Sequence, residues 1–325
     1  MSEREEPVIE VVGLTKGFSD VLALNDVSFK VFKGDVFGCI GPNGAGKTTA
    51  IRCILDVLRP SKGEAKIFGE SSSNHFSKYG GKIGTALENP GLYEELTGEE
   101  NLDLYSHILK IVKEERKRRI DLLLSFVGLE AKRREKIAAY SHGMKKRLIL
   151  ARALLNDPEI LIFDEITSGL DPEQKRIFYE LIRHLREEGK TIFFSSHVLS
   201  EVEGICNRLC ILREGREVFC DTLENLFLRF GRYVVRARFG DVERIDEIGN
   251  LPFIKNRWIE DSNITMFVSI DNIQEVNMKL DGLGLFDLSV TEIKLDDIYA
   301  TIFGLEDKTR DSVKRFRESF SKGGG

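Results

Sequence analysis

Apolar and polar positions change rhythm along the chain. Residues 8–40 alternate in the manner of strands: VIEVVGL, then VSFKVFK after a turn at Asn25–Asp26, then the wholly apolar VFGCI. Alternation with period two predicts half-buried strands, and a short apolar run predicts a strand covered on both faces. KTTAIRCILDVL spaces its apolar residues by three and four and reads as a helix, while GEAKIFG and KIGTALE read as short strands. From Thr97 to Ala139 the pattern is helical, through NLDLYSHILKIV and RRIDLLLSFVGL. Strand and helix patterns then take turns. MKKRLILARALL is a helix, EILIFDE a buried strand, and PEQKRIFYELIRHLREEG a helix with Pro172 near its start. KTIFFSS is a strand, VLSEVEGIC a helix, and NRLCILREGREVFC two short strands. Such alternation predicts a mainly parallel sheet covered on both faces, here with an all-helical insert ahead of ILIFDE.

After a helix expected over 221–230, a different rhythm begins at Gly231. YVVRARF reads as a strand, VERIDEIGNL as a short helix, FIKNRWIED and NITMFVSI as strands, NIQEVNMKLDGLG as a helix, LFDLSVTEI as a strand and LDDIYATIFG as a final helix. The order β-α-β-β-α-β is that of the ferredoxin-like split βαβ. Three regions are therefore expected: 1–230, with its helical part at about 97–158; a small α+β domain at 231–305; and a polar, basic, mobile tail at 306–325.

Composition narrows the possibilities. The 325 residues are 42% hydrophobic and 31% charged with a net charge of −5, so no global basic field draws the chain to nucleic acid or to an anionic membrane. The basic runs KEERKRR (113–119) and KRREK (132–136) are interleaved with Glu and read as solvated helix faces. No apolar run reaches the ~20 residues of a membrane span. The opening MSEREEP lacks the pattern of a secretion signal, so a cytoplasmic location is expected. The five cysteines are odd in number and form no CxxC pair, which reads as reduced, buried thiols.

The candidate chemistry lies in four motifs in fixed order, ILIFDE running into SGLD being counted as one. Gly41–Thr48 reads GPNGAGKT, the phosphate-cradling pattern GxxxxGK[ST], between a predicted strand and a predicted helix. Gly41, Pro42, Asn43, Gly44, Ala45 and Gly46 would turn backbone N–H groups toward phosphate oxygens, with the N-terminal end of the helix behind them. Lys47 would supply a point charge for the phosphates of ATP and Thr48 a hydroxyl ligand for Mg²⁺, and Thr49 is counted with the ATP-binding residues. ILIFDE (160–165) puts two carboxylates at a strand end: Asp164 to hold Mg²⁺ and Glu165 to polarise the attacking water. YSHGM (140–144), SGLD (168–171) and SSH (195–197) complete the set.

Together these motifs resemble the ATPase subunit of an ABC transporter. The resemblance implies a P-loop NTPase cassette of α/β class, with an antiparallel β subdomain and a helical insert, over about residues 8–230. It implies that two cassettes pair head to tail with each ATP between the phosphate loop of one and the signature sequence of the other. YSHGM is similar to that signature, usually LSGGQ, and assigns Ser141 and the amide of Gly143 to the γ-phosphate across the dimer. By the same resemblance Asp171 falls at the loop reporting between the sites, His197 at the switch histidine, and Phe18 at the aromatic that stacks on adenine. Glu88 stands where the family usually has Gln, a Mg²⁺ ligand. His142 replaces the signature's first Gly, Met144 its final Gln, and Ile166 a Pro common at that point. With only two glutamines in the chain, the replaced ones can reflect composition. YSxGM, ENPGLYEELTGEENL (88–102) and LDDIYATIFG resemble ATPases of ABC-2-type exporters.

The expectation is an ATP-hydrolysing subunit, peripheral on the inner face of the cell membrane, that powers a separate integral membrane permease and pairs with a second cassette. Residues 89–98, with Leu92, Tyr93 and Leu96, are expected to form the surface gripped by the permease, and 231–305 to support dimerisation or regulation. Three alternatives stay open: an ABC ATPase acting on a soluble partner, a P-loop switch or kinase, and a regulatory module without ATP chemistry.

Overall fold

The first two strands are longer than the alternation implies. β1 (Pro7–Phe18) and β2 (Val21–Phe32) pair antiparallel through a turn at Ser19–Asp20, so the expected turn at Asn25–Asp26 is corrected. Asp26 instead sits inside β2 at φ 61°, beside register shifts around Leu14, and its N–H donates to Thr15 Oγ1 at 3.1 Å. A bulge carries a polar pair and breaks the alternation as a turn does, and the sequence pattern does not separate the two. The computed structural model describes residues 6–71, 80–87, 91–239, 251–260, 263–269, 273–281 and 285–303. The chain divides into two units, 1–221 and 222–325.

In the first unit, β4 (Lys62–Ile67) and β5 (Glu70–Ser71) extend the antiparallel sheet to the order β2-β1-β4-β5. A second sheet is built from β3 (Val36–Ile40), β6 (Ile83–Ala86), β7 (Ile160–Asp164), β8 (Thr191–Ser196), β9 (Arg208–Arg213) and β10 (Arg216–Thr222). Its order is β10-β9-β3-β8-β7-β6, and β9, β3, β8, β7 and β6 run parallel. Strands β3, β7 and β8 are buried at every residue, as their unbroken apolar runs require. Helix α1 (Lys47–Ile54) joins both sheets in one core: Ile9, Val11 and Leu14 of β1, Ile51 and Ile54 of α1, and Ile160 and Ile162 of β7 share it. Phe29, Phe37 and Phe193 cluster with ring centroids 5.2, 5.3 and 5.9 Å apart.

The helical insert contains α2 (Gly98–Ile108), α3 (Lys113–Phe126) and α4 (His142–Ala153). Thr97 starts α2 with a capping box: its hydroxyl accepts from Glu100 N at 3.2 Å, and Glu100 Oε2 accepts from Thr97 N at 2.8 Å. The periodic run NLDLYSHILKIV is interrupted at Lys110, which takes φ 58° and ends the helix early. KEERKRR forms the start of α3, where Glu115 binds Arg118 and Arg119 at 2.6 and 2.7 Å. KRREK is not a helix face: it leaves a 3₁₀ turn (Glu130–Lys132), and Arg133 bridges Glu99 and Asp121 at 2.9 and 2.6 Å. Helices α5 (Pro172–Glu187) and α6 (Leu199–Ile205) alternate with β8 and β9 as expected.

Cys39, Cys53, Cys206 and Cys210 are buried free thiols, and Cys220 is half-buried. Burial pushes the Cys39 thiol up to about 12 and that of Cys53 to about 11, so neither is a thiolate at neutral pH. Among the described residues no helix is long and apolar enough to cross a membrane.

The second unit starts with α7 (Leu223–Phe230) and continues through β11 (Tyr233–Phe239), β12 (Ile254–Glu260), β13 (Asn263–Val268), α8 (Ile273–Leu280), β14 (Leu285–Glu292) and α9 (Leu295–Phe303). Its sheet is antiparallel in the order β12-β13-β11-β14. Val235, Ala237, Ile264 and Met266 pack with Val276 and Leu280 of α8. The alternate positions Val234 and Phe267 are also buried, with the Phe230 ring 6.2 Å from Phe267. The sheet therefore has buried residues on both faces. The helix expected in VERIDEIGNL and the tail 306–325 lie outside the described residues.

Candidate functional site

Parallel pairing brings the motifs to one edge of the sheet. Ile40, before the glycine-rich loop, is in register with Ser196, before His197; Ser195 is in register with Asp164, before Glu165. The C-terminal ends of β3, β8 and β7 therefore meet side by side, the usual place for a ligand in an open α/β sheet.

The loop 41–48 folds between β3 and α1. Gly46 has φ 105°, and a Cβ there would lie 2.6 Å from the carbonyl oxygen of Ala23, so both torsion and space require glycine. Ala45 closes a turn by donating its N–H to Pro42 O at 3.1 Å. Lys47 is 5% exposed and curls back over the loop, donating to Gly41 O at 2.9 Å and Pro42 O at 3.2 Å. Its Nζ also lies 3.4 Å from Glu165 Oε1. An ammonium at the N-terminus of a helix can receive a phosphate oxygen by exchanging one of these acceptors for it.

The carboxylates are held differently. Asp164 is buried and accepts from Ser195 Oγ at 2.6 Å and Thr48 Oγ1 at 3.2 Å, both at Oδ1. Glu165 takes φ 48°, a costly backbone for a residue with a Cβ, and its N–H donates to Ser195 Oγ at 3.0 Å. That turn leaves its carboxylate between Lys47 and His197, whose Nδ1 is 3.5 Å from Oε1. The cleft in front of these groups is about 580 Å³ and is lined by Asn43, Gly44, Gly46, Lys47, Thr48, Thr49, Asp164 and Glu165 from the predicted set. Val21, Leu22, Ala23 and Glu214 line it too, and none of the four was singled out from the sequence.

Four predicted residues lie elsewhere in the chain. Phe18 ends β1, 46% exposed with Lys16 Nζ 5.1 Å from its ring centroid, and it is not among the residues lining the cleft. Ser141 caps α4, accepting from Met144 N at 3.3 Å, and Asp171 caps α5, accepting from Gln174 N at 2.9 Å. Gly143 lies against Gln174 so closely that a Cβ would be 1.8 Å from its Oε1. His142, where the resemblance has glycine, begins α4 and lies 3.2 Å from the carbonyl oxygen of Ser168; against a carbonyl, its Nε2 must be the donor. The described cleft thus receives neither Ser141, Gly143 nor Asp171 from its own chain. Glu88 lies outside the described residues.

Sequence reasoning also missed Ser195 and Glu201. Ser195 stood in a quoted motif without a role. Glu201 carried a readable signal: it is an acid on the same helical face as Val198, Val202 and Ile205.

The fold and site define a P-loop nucleoside-triphosphatase domain. A family model described as ABC transporter matches residues 24–168. The Nod factor export ATP-binding protein I of Rhizobium johnstonii is 34% identical over 299 residues, covering 92% of this chain and 95% of that protein. The chain belongs to the ABC transporter ATP-binding family. A solved structure of an ATP-binding subunit of an ABC transporter is 33% identical with a TM-score of 0.62, covering 68% of this chain and 92% of that one. A dimeric ATP-binding cassette in a post-hydrolysis state with ADP and Pi is 26% identical with a TM-score of 0.60, covering 66% and 98%. The chain is an ATP-binding, ATP-hydrolysing subunit of this family, and the first unit has the cassette fold.

Proposed function

We propose that the chain energises an exporter: it binds ATP between two cassettes, hydrolyses it, and passes the resulting closure and reopening to a separate membrane permease at the inner face of the cell membrane. The observation that carries the hydrolytic part is the Glu165 carboxylate, held at φ 48° between Lys47 and His197 at 3.4 and 3.5 Å, beside the Thr48–Asp164 pair.

In this reading the loop amides and Lys47 hold the β- and γ-phosphates. Glu165 takes a proton from the attacking water, and His197 holds Glu165 and the water in line. A hydroxyl and a buried carboxylate 3.2 Å apart form a hard oxygen donor set suited to Mg²⁺, which keeps most of its shell as water and phosphate oxygens. Thr48 and Asp164 would hold it, and when bound it would neutralise charge developing on the phosphate oxygens. Glu88 completes the proposed metal set.

Head-to-tail pairing explains why Ser141, Gly143 and Asp171 face away from the cleft of their own chain: they serve the cleft of another copy or of a related cassette. Phe18, at the hairpin bearing Val21 and Leu22, is proposed to cover the adenine. For residues 231–305, the antiparallel order β12-β13-β11-β14 supports the ferredoxin-like reading, in a dimer-supporting or regulatory role. Export is supported by the similarity to an export ATP-binding protein across nearly the whole chain.

Pairing is tested with Asn43→Cys in one copy and Ser141→Cys in another. With Glu165→Gln present to prevent turnover, ATP and an oxidant should give a cross-linked dimer. Cross-linking that is absent with ATP, or equal without it, would overturn the head-to-tail arrangement.

A further inference from the structure

Glu201 is 2% exposed, yet it is charged and lies outside the cleft. Its Oε2 accepts from Thr167 Oγ1 at 2.7 Å and from Ser196 Oγ at 2.8 Å, and Lys175 Nζ is 2.8 Å from Oε1. The donors come from three different segments. Thr167 follows Glu165 by two residues, Ser196 precedes His197, and Lys175 is in the first turn of α5, just after Asp171. Ser196 Oγ also accepts from Val198 N at 2.9 Å, so the backbone on both sides of His197 is tied to the same hydroxyl. Among the described residues no other carboxylate bonds both the segment after Glu165 and the residue before His197.

Burying a carboxylate costs free energy that a packed apolar residue would not. The gain is acceptor capacity, because one anion serves the Thr167 and Ser196 hydroxyls, the Lys175 ammonium and the nearby Tyr179 hydroxyl, and has no proton of its own to misdirect. The two hydroxyl bonds fix, relative to each other, the turns that hold Glu165 and His197 3.5 Å apart. We propose that Glu201 is the positioning residue of the hydrolytic centre, fixing the Glu165 and His197 segments to each other and to the start of α5. This rests on the assignment of Glu165 and His197 as the hydrolytic pair.

The experiment uses the full chain and three variants: Glu201→Gln, Thr167→Val with Ser196→Ala, and all three changes together. Turnover at saturating Mg-ATP, affinity for a fluorescent ATP analogue and melting temperature are measured for each. Glu201→Gln should lower kcat by roughly 10-fold or more while leaving the affinity within about twofold, since a misplaced base and histidine affect only the chemical step. The triple variant should be no slower than Glu201→Gln by more than about twofold, because groups acting as one unit are non-additive. A kcat close to that of the unsubstituted chain, or losses that multiply in the triple variant, would overturn the proposal. If Glu201→Gln does not fold, the hydroxyl double variant decides alone, since it keeps the Lys175–Glu201 pair: reduced kcat at unchanged affinity supports the proposal and unchanged kcat overturns it. Turnover retained in Glu165→Gln would instead remove the assignment on which the proposal rests, so the two failures are distinct.

Discussion

Single residues here combine costly placements with specific partners. Glu165 adopts a left-handed backbone, and Glu201 carries its charge into the core. Burial alone would raise the Glu201 carboxyl, but the Lys175 ammonium and the hydroxyls of Thr167 and Ser196 outweigh it and hold the group below its ordinary 4.5. A carboxyl depressed on folding contributes stability above its unfolded pKa and loses that contribution as pH falls through its folded value. Lys175→Met leaves the buried anion with hydroxyl partners alone and should cost on the order of 3 kcal/mol at pH 7. The gap between the two proteins should narrow as the pH drops below the carboxylate range. Urea unfolding of both at several pH values measures this, and a gap that stays constant into acid would place the cost elsewhere than in the ion pair.

At the scale of elements, the strands present the chemistry and the insert presents a surface. Asn101, fully buried in the first turn of α2, clamps the Tyr93 backbone on both sides: its Oδ1 accepts from Tyr93 N at 2.9 Å and its Nδ2 donates to Tyr93 O at 3.0 Å. The Tyr93 ring stays 52% exposed, 6.5 Å from that of Tyr105. An exposed aromatic on a clamped backbone loses little entropy on binding, and such residues often dominate interfaces. Tyr93→Ala with Leu92→Ser should therefore leave basal ATPase activity intact while weakening permease binding by roughly tenfold or more. Titrating the permease against both proteins checks it, and equal binding would rule this surface out. The motifs lying at strand ends were legible because apolar runs such as ILIFDE and TIFFSS cannot be solvated and must end where polar residues begin. Two features were not legible. The bulge at Asp26 mimics a turn, and the end of α2 at Lys110 depends on a backbone torsion that apolar periodicity does not encode. Nor could spacing reveal that Thr167, Lys175, Ser196 and Glu201 converge, since Thr167 and Glu201, 34 residues apart in sequence, are brought together by the pairing of β7 with β8.

At the scale of the whole molecule, the proposed head-to-tail pairing treats one chain as two incomplete halves of a site. Its cleft is lined by the phosphate loop, Asp164 and Glu165, with His197 against Glu165, while the capped starts of α4 and α5 carry Ser141 and Asp171 outside that cleft. Under that proposal hydrolysis depends on pairing, and Glu165 is the group expected to let the closed pair reopen. The most direct measurement is the turnover and assembly state of Glu165→Gln with Mg-ATP. The substitution keeps shape and hydrogen-bonding reach but removes the base. Turnover should fall by about 100-fold or more while ATP still binds, and the protein should accumulate as an ATP-bound dimer. Near-normal turnover, or a protein that stays monomeric with ATP bound, would contradict the account.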